Sequence, residues 1–159
     1  MSGRMPSWSV IEQSEPEFAG RVQRLFDAGR HKTIATLRFD GSPRISGIEC
    51  EFNGGQLRFA SMSDARKLAD LKRDPRFALH GPTFHPEEGR EVEWPGEAKI
   101  AGSVVSVDAT TGEGDVDRDG EAFTADIGEV VITRLSDDGT KLVVESWTPE
   151  RGLHSFERE

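Results

Sequence analysis

The chain has 159 residues, with 20 Lys and Arg against 29 Asp and Glu, so its formal net charge is −9 at pH 7. This length favours a single domain, and the acidic balance disfavours nucleic acid as the main partner, because such binding relies on clustered Lys and Arg. Only 35% of the residues are hydrophobic, which favours further burial of apolar surface in a homodimer.

The N-terminal sequence has no apolar signal-peptide region, and no stretch is long and apolar enough to cross a membrane. Cys50 is the only cysteine, which excludes an internal disulfide, and its place in an alternating strand predicts a buried, unreactive thiol. We therefore expect a cytoplasmic protein that forms one domain over residues 1–159, with residues 1–13 as an N-terminal arm.

The first predicted element is a helix over residues 14–29. Ser14 and Glu17 have the spacing of a capping box, and Pro16 suits the first turn. Apolar residues at helical spacing then define one face that should be buried together with Trp8: Phe18, Val22, Leu25 and Phe26.

Short β-branched runs separated by turn residues follow this helix and predict antiparallel hairpins. A second helix is predicted over residues 64–73, with Ser63 as its N-cap and Pro75 after its end. The Pro-rich residues 81–96 should form a surface loop, and residues 112–126 form an acidic segment. The pattern favours an antiparallel barrel with helical decoration over a parallel sheet. The predicted strands cover residues 33–39, 44–52, 56–61, 76–80, 97–108, 128–135 and 141–147.

Residues 61–68, with the sequence SMSDARKL, place two cations in the first turn of the second helix. Lys and Arg normally stabilise the other end of a helix, whereas the free N–H groups at a helix start attract anions. A phosphate would explain this placement. It would be held by the hydroxyls of Ser61 or Ser63 and by Arg66 and Lys67, and Arg44 on a neighbouring strand could reach it.

An ordinary structural explanation is also open for these cations. Arg66 lies four residues before Asp70, a spacing at which opposite charges pair on a helix surface. In that case the first turn would be a solvated helix face with no ligand.

Two segments and the order of their elements carry a family resemblance: KTIATLRFDGSPRISG at residues 32–47 and LRFASMSDARKLADLKRDPRFALH at residues 57–80. Together with VVITRL at residues 130–135 and VVESW at residues 143–147, they resemble the pyridoxamine 5′-phosphate oxidase-like flavin-binding split-barrel superfamily. The resemblance implies a mainly β fold, a six-stranded antiparallel split barrel with two main helices, which dimerises with FMN or the deazaflavin F420 at the subunit interface.

The same resemblance implies which residues hold the cofactor. Arg66 and Lys67 would bind the phosphate with help from Ser61. Residues 44–47 would line the phosphate and the ring edge. A tryptophan, Trp147 or Trp94, would reach the ring from the partner subunit. The cofactor-binding residues predicted in this way are Arg44, Ile45, Ser46, Gly47, Ser61, Ser63, Arg66, Lys67 and Trp147.

The implied function is that of a flavin-dependent oxidoreductase that binds FMN and transfers hydride to or from a small organic substrate. F420 is the alternative cofactor, and its polyanionic tail would need basic surface such as Lys72, Arg73 and Arg76. A non-catalytic protein that binds flavin or haem is the other alternative. The C-terminal sequence GLHSFERE lacks the Arg-Leu-x-Pro motif of true pyridoxine phosphate oxidases, so oxidation of vitamin B6 is not expected.

A calcium loop is a further, remote interpretation of the acidic segment. Asp115, Asp117 and Asp119 match the D-x-D-x-D-G opening of such a loop, and Asp126 stands at its twelfth position. A bidentate Glu is usual at that position, and the flanks have strand character, so a solvated turn is the favoured alternative. The four histidines show no metal-binding spacing, and His80 should be a hydrogen-bonded residue at a strand end.

Overall fold

A computed structural model of the chain describes residues 5–62, 64–109 and 120–159. Three α-helices, eight strands and one 3₁₀ turn at Glu91–Glu93 are found in these ranges. The helices are α1 (Trp8–Ser14), α2 (Pro16–Asp27) and α3 (Arg66–Arg73). The strands are β1 (Lys32–Leu37), β2 (Pro43–Asn53), β3 (Gln56–Met62), β4 (Arg76–His80), β5 (Glu97–Ala109), β6 (Gly120–Leu135), β7 (Leu142–Thr148) and β8 (Gly152–Arg158).

Six of the strands close into an antiparallel barrel. They are hydrogen-bonded in the order β3-β2-β1-β4-β5-β6, and β6 pairs again with β3. Met62 pairs with Gly120 and Leu57 with Ala125 at this closing seam. The C-terminal part of β6 continues beyond the seam and carries the β7–β8 hairpin. The predicted six-stranded antiparallel barrel is therefore confirmed.

Alternation along the strands fills the barrel. Ile34 and Thr36 of β1 are buried, whereas Thr33 before them is exposed and Ala35 between them is half-buried, as expected when successive side chains point to opposite faces. The β2–β3 hairpin turns at Gly54 and Gly55, which have φ values of 60° and 76°. Glycine suits this turn because a side chain disfavours positive φ.

Aromatic side chains pack against one another at two places in the core. Phe59 stacks on Phe123 with ring centroids 5.8 Å apart and meets Phe77 edge to face at 5.4 Å. Trp8 is fully buried, as predicted, and contacts Phe52 at 4.7 Å. The helical pair α1–α2 therefore packs against the barrel.

The N-terminal prediction was wrong in two respects. A helix, α1, occupies residues 8–14 of the predicted arm and its junction, so the structure has one helix more than the two main helices predicted. Ser14 is the last residue of α1 rather than a cap of the next helix, because its Oγ donates to the carbonyl of Val10 at 2.8 Å. The next helix begins at Pro16, with Glu15 before it.

Two strand predictions also needed correction. β6 begins at Gly120 and not at residue 128, so residues 120–126 of the acidic segment are strand. β8 was not predicted at all; it pairs with β7 as the outermost strand. Within the described residues, no helix combines the length and apolar character needed to cross a bilayer.

Candidate functional site

A buried carboxylate organises the end of the barrel that is covered by α3. Asp70 of α3 is only 2% exposed, and its two oxygens accept hydrogen bonds from three donors. These are Thr36 Oγ1 at 2.7 Å, Arg44 Nε at 2.7 Å and Arg73 Nη2 at 3.1 Å. The carboxylate thus ties α3 to the adjoining ends of β1 and β2.

The electrostatics of Asp70 keep it ionised. Burial alone would raise the pKa of this carboxyl, but the hydrogen bonds from Arg44, Thr36 and Arg73 outweigh burial and hold its pKa below the ordinary value. Asp70 engages Arg44 through Nε only. Among the described residues, the two Nη groups of Arg44 have no hydrogen-bond partner, so a fixed guanidinium presents one open edge.

The first turn of α3 brings two more cations to β2. Lys67 Nζ donates to the carbonyl of Gly47 at 3.1 Å. Arg66 is exposed and forms no hydrogen bond or ion pair with any residue that the structure describes. The predicted pair between Arg66 and Asp70 is not formed, because the Asp70 carboxylate turns inward to Arg44 and Arg73.

The start of α3 differs from the prediction. The helix begins at Arg66, two residues later than predicted, and the N-cap position is Ala65, which has no side-chain cap. Ser63 was predicted to be the cap and a phosphate ligand; it lies outside the described residues. Ser61 is half-buried on β3 and in register with Glu121 of β6.

The outer face of β2 and β3 beside this turn carries small or apolar side chains. We call Ile45, Gly47, Ala60 and Met62 the outer shelf. Ile45 and Met62 are 75% and 71% exposed, and a Cβ placed on Gly47 would meet no atom within 4 Å. An open cleft of about 400 Å³ adjoins the shelf and is lined by Glu49, Cys50, Glu51, Arg58, Phe59, Ala60 and Ala122. Ser46 alternates with the shelf residues and is half-buried.

The structure does not bring the predicted tryptophan to this place within the chain. Trp147 of β7 is 4% exposed and belongs to the hydrophobic core, in register with Val130 and Leu153. Trp94 is half-buried after the 3₁₀ turn. The cofactor-phosphate candidates Arg44, Gly47 and Lys67 do come together, whereas Trp147 does not join them.

The cations that could hold a longer polyanionic tail are already engaged. Lys72 Nζ lies 2.7 Å from Glu121 Oε1, Arg73 Nη2 donates to Asp70 and to the Leu37 carbonyl, and Arg76 Nη2 lies 2.8 Å from Asp74 Oδ2. These side chains therefore already have acidic partners within the chain.

The other polar residues singled out from the sequence are a cysteine, a histidine and the acidic calcium candidates. Cys50 is half-buried rather than buried as predicted, and this partial burial still raises the pKa of its thiol to about 11, which favours an unreactive cysteine. His80 Nδ1 lies 2.6 Å from the Gly81 carbonyl oxygen. Asp126 is buried in β6 opposite Ser103, in a strand rather than the predicted turn, and the calcium candidates Asp115, Asp117 and Asp119 lie outside the described residues. Within residues 5–62, 64–109 and 120–159, no group of three His, Cys, Asp or Glu side chains is arranged to hold a metal ion.

Sequence reasoning missed Thr36 and the role of Asp70. Thr36 stands at a buried position of β1, and a buried hydroxyl needs a hydrogen-bond partner. The alternation of β1 could have drawn attention to it, but its partner lies 34 positions away and no local pattern marks the pairing.

Comparison with known proteins supports the fold. No protein-family model and no curated protein sequence matches the chain. Among solved structures, a pyridoxamine 5′-phosphate oxidase-related, FMN-binding protein of Nostoc punctiforme is similar with a TM-score of 0.60 and 11% identity, over 91% of this chain and 96% of that one. An F420 reductase is similar with a TM-score of 0.51 and 16% identity, over 70% of this chain and 93% of that one.

A haem-storage protein of Vibrio cholerae is similar as well, with a TM-score of 0.53 and 15% identity over 74% of this chain and 93% of that one. These three structures share one architecture, although their names refer to different cofactors, namely FMN, F420 and haem. The chain therefore has the split-barrel fold that its resemblance predicted, and at these identities the likeness is one of fold alone.

Proposed function

We propose that the chain binds FMN at the α3 end of the barrel and acts as a flavin-dependent oxidoreductase on a small organic substrate. One observation carries the proposal: the buried Asp70 of α3 fixes Arg44 with an open edge, and the first turn of the same helix carries the exposed Arg66 and also Lys67, whose Nζ reaches β2 at Gly47. Three cations at one place on a chain of net charge −9 favour an anionic ligand at that place.

The donors at this place fit a phosphate monoester. Arg44 and Arg66 offer guanidinium N–H groups, Lys67 offers an ammonium, and Ser61 offers a hydroxyl nearby on β3. The backbone N–H groups at the start of α3 add donors that suit an anion. Charge-assisted hydrogen bonds of this kind are the strong ones in proteins.

The surface beside these donors suits a flat ring. Gly47 and Ala60 leave the strands of the outer shelf uncovered, and Ile45 and Met62 add apolar contact area. Exposed large apolar side chains in one patch mark interaction surfaces. We infer that this shelf lies at a homodimer interface, where the ring is held between two subunits and where a partner residue completes the site.

In this proposal the cofactor and the protein have different roles. FMN, when bound, supplies the hydride-transfer chemistry. The chain holds the phosphate through its cations, keeps Arg44 in place through Asp70, and leaves room at Gly47 for close approach to the backbone.

FMN is favoured over F420 because of the engaged cations described above. Lys72, Arg73 and Arg76 each pair with an acidic side chain of the same chain, so a polyanionic tail would have to break those pairs. FMN needs only the cluster at the start of α3.

A non-catalytic flavin or haem carrier is the alternative, supported by the fold shared with a haem-storage protein. The absorbance spectrum and the mass of the molecule that co-purifies with the chain separate these proposals. FMN together with bleaching by NADPH supports the oxidoreductase. If FMN co-purifies but the protein turns over no substrate when a reductant is added, the protein is a carrier. A haem spectrum contradicts the flavin proposal.

The site itself is tested by the double substitution Arg66→Ala and Lys67→Ala. We expect FMN affinity, measured by quenching of flavin fluorescence, to fall by several kcal/mol, since each charge-assisted hydrogen bond contributes about 1.5–3 kcal/mol. A matched control removes two exposed cations elsewhere, Lys99→Ala and Arg151→Ala, and should retain wild-type affinity. Equal FMN affinity in the two double variants would contradict a phosphate site at the start of α3.

A further inference from the structure

A second basic cleft lies between α2 and the C-terminal part of β6. It has a volume of about 290 Å³, and its lining combines three arginines, Arg21, Arg24 and Arg134, with the apolar side chains of Leu25, Phe84 and Ile132. Arg21, Arg24 and Leu25 share one face of α2 because they are spaced by three and four residues. The cleft is separate from the α3 site, because the β3–β6 seam ends at Ala125 and this part of β6 lies beyond it.

One buried carboxylate organises two of the three arginines. Glu145 of β7 is 8% exposed and accepts a bidentate pair from Arg21, with Nη1 and Nη2 each 2.6 Å from a carboxylate oxygen. Arg134 Nε donates to the same carboxylate at 3.1 Å, and Arg134 Nη1 donates to the Leu135 carbonyl at 3.1 Å. Both guanidinium groups are thereby held in fixed positions at the wall of the cleft.

The cleft retains positive charge after these pairs are made. Glu145 and the exposed Glu17, which pairs with Arg21 at 2.7 Å, compensate two of the three arginines. Arg24 has no hydrogen bond or ion pair within the described parts of the chain, and neither has Nη2 of Arg134. The exposed Arg24 is therefore an uncompensated cation at the rim of a partly apolar cleft, in a protein of net charge −9.

We propose that this cleft binds a small organic monoanion, a carboxylate with an aromatic or branched apolar body. The carboxylate is recognised by Arg24 and by the remaining N–H group of Arg134, and the apolar body packs on Leu25, Phe84 and Ile132. A guanidinium fork matches the planar geometry of a carboxylate. The single excess charge selects a monoanion over a phosphate dianion, and a volume of about 290 Å³ lies at the small end of the range for ligand pockets.

The test uses benzoate as the probe and benzamide, its neutral counterpart, as the comparison. Titrations of the uniformly ¹⁵N-labelled protein are followed through the arginine Nε–H signals and the backbone amide of Phe84. Benzoate is expected to shift the signals of Arg24, Arg134 and Phe84 with saturation, and to bind more tightly than benzamide. Benzoate that gives no saturable shift, or that binds no better than benzamide, would overturn the proposal.

Two variants and one competition assign the binding to the cleft. Arg24→Gln should weaken benzoate binding about tenfold, as expected for the loss of one charged hydrogen-bond donor, whereas Arg151→Gln should leave it unchanged. Ala28→Phe, which adds a ring at the cleft wall, should abolish binding. Saturating FMN should not alter benzoate affinity. Equal binding by Arg24→Gln and wild type, or displacement of benzoate by FMN, contradicts a separate carboxylate site.

Discussion

Two buried carboxylates, Asp70 and Glu145, form the same kind of ion pair with arginines in two regions of the molecule, but the protein surfaces beside them differ. Each is at least nine-tenths buried and each holds two arginines. Glu145 binds Arg21 through both oxygens and joins α2 to the β6–β7 sheet. Asp70 binds Arg44 through Nε alone, beside a turn that carries Arg66 and Lys67. Glu145 ties α2 to the sheet and holds Arg134 at the wall of the α2–β6 cleft, whereas Asp70 leaves one edge of Arg44 open at the α3 site.

The comparison shows how a buried ion pair can serve stability or binding with the same residue types. Removing charges from water is costly, and a buried pair repays that cost only through good geometry and complete hydrogen bonding. At Glu145, the two hydrogen bonds from Arg21 satisfy both carboxylate oxygens. At Asp70 three donors meet it, and the guanidinium edge that remains open is available to a ligand.

The largest effect is expected from Glu145→Gln. The substitution leaves Arg21 and Arg134 beside a neutral amide, and breaking a buried pair in this way typically costs about 3–5 kcal/mol. The free energy of unfolding, obtained from urea titrations followed by circular dichroism, should fall accordingly. The exposed pair of Glu157 with Lys141 is the control, because Glu157→Gln should change stability by less than about 1 kcal/mol. Similar losses in both variants would place the Glu145 pair among ordinary surface pairs.

Asp70→Asn should destabilise less and reduce binding more. The asparagine amide can still accept a hydrogen bond from an arginine through its oxygen and can donate to the Thr36 hydroxyl through its NH₂ group, so we expect a loss of about 1.5–3 kcal/mol in the free energy of unfolding. FMN affinity should fall about tenfold, because Arg44 loses the group that orients it. Fluorescence titration of folded Glu145→Gln should give the wild-type FMN affinity. The distinction between the two regions fails if both variants lose FMN affinity equally.

Acid should weaken both networks in the same direction. The hydrogen bond from Arg21 is the largest influence on Glu145 and keeps its pKa below the ordinary value despite burial, and the pKa of Asp70 is lowered as well. Their contribution is therefore complete above the unfolded-state pKa values near 4.5 and 3.8, and it is lost as pH falls through the lower folded-state values, by about 1.4 kcal/mol per unit of pKa depression.

Urea titrations between pH 3 and pH 6 measure this loss. Asp70→Asn and Glu145→Gln should each reduce the slope of stability against pH below about pH 4.5. An unchanged slope in either variant would mean that its carboxylate has the same pKa in the folded and the unfolded chain.

The smallest expected effect concerns Cys50, which belongs to neither network and serves as a reference for the barrel wall. Burial is the main cause that raises its pKa from 9.0 to about 11, so its thiolate fraction between pH 7 and pH 9 should be about a hundredfold lower than in the unfolded chain. Labelling with a disulfide reagent should be correspondingly slow in the native protein and fast in urea. Equal rates would show that the strand does not shield the thiol.

Most of the barrel could be predicted because its signals are local. Period-two alternation and Gly-containing turns placed the first five strands to within two residues of their ends. The closing seam between β3 and β6 could not be predicted in this way, because its partners are far apart in the chain and residues 120–126 look like a polar turn by composition. β8 was missed since it is mostly exposed and lacks alternation.

The candidate site was predictable in its cations and not in their supports. Arg66 and Lys67 stood out because they oppose the helix dipole, and the structure does bring Lys67 to Gly47. The partnership of Asp70 with Arg44 joins a helix to a strand 26 positions away, so helical spacing pointed instead to Arg66. Ser14 was misassigned because its hydroxyl serves the carbonyl behind it rather than the amides ahead.

The long strand β6 has a consequence for how the chain acquires its structure. It pairs with β3, β5 and β7, so the barrel cannot close until β6 meets β3, a strand from a much earlier part of the chain. Such distant pairings slow folding, and until they form the rims of β3 and β5 stay available to other chains. We expect nascent or truncated chains that stop before Gly120 to need chaperone protection from aggregation.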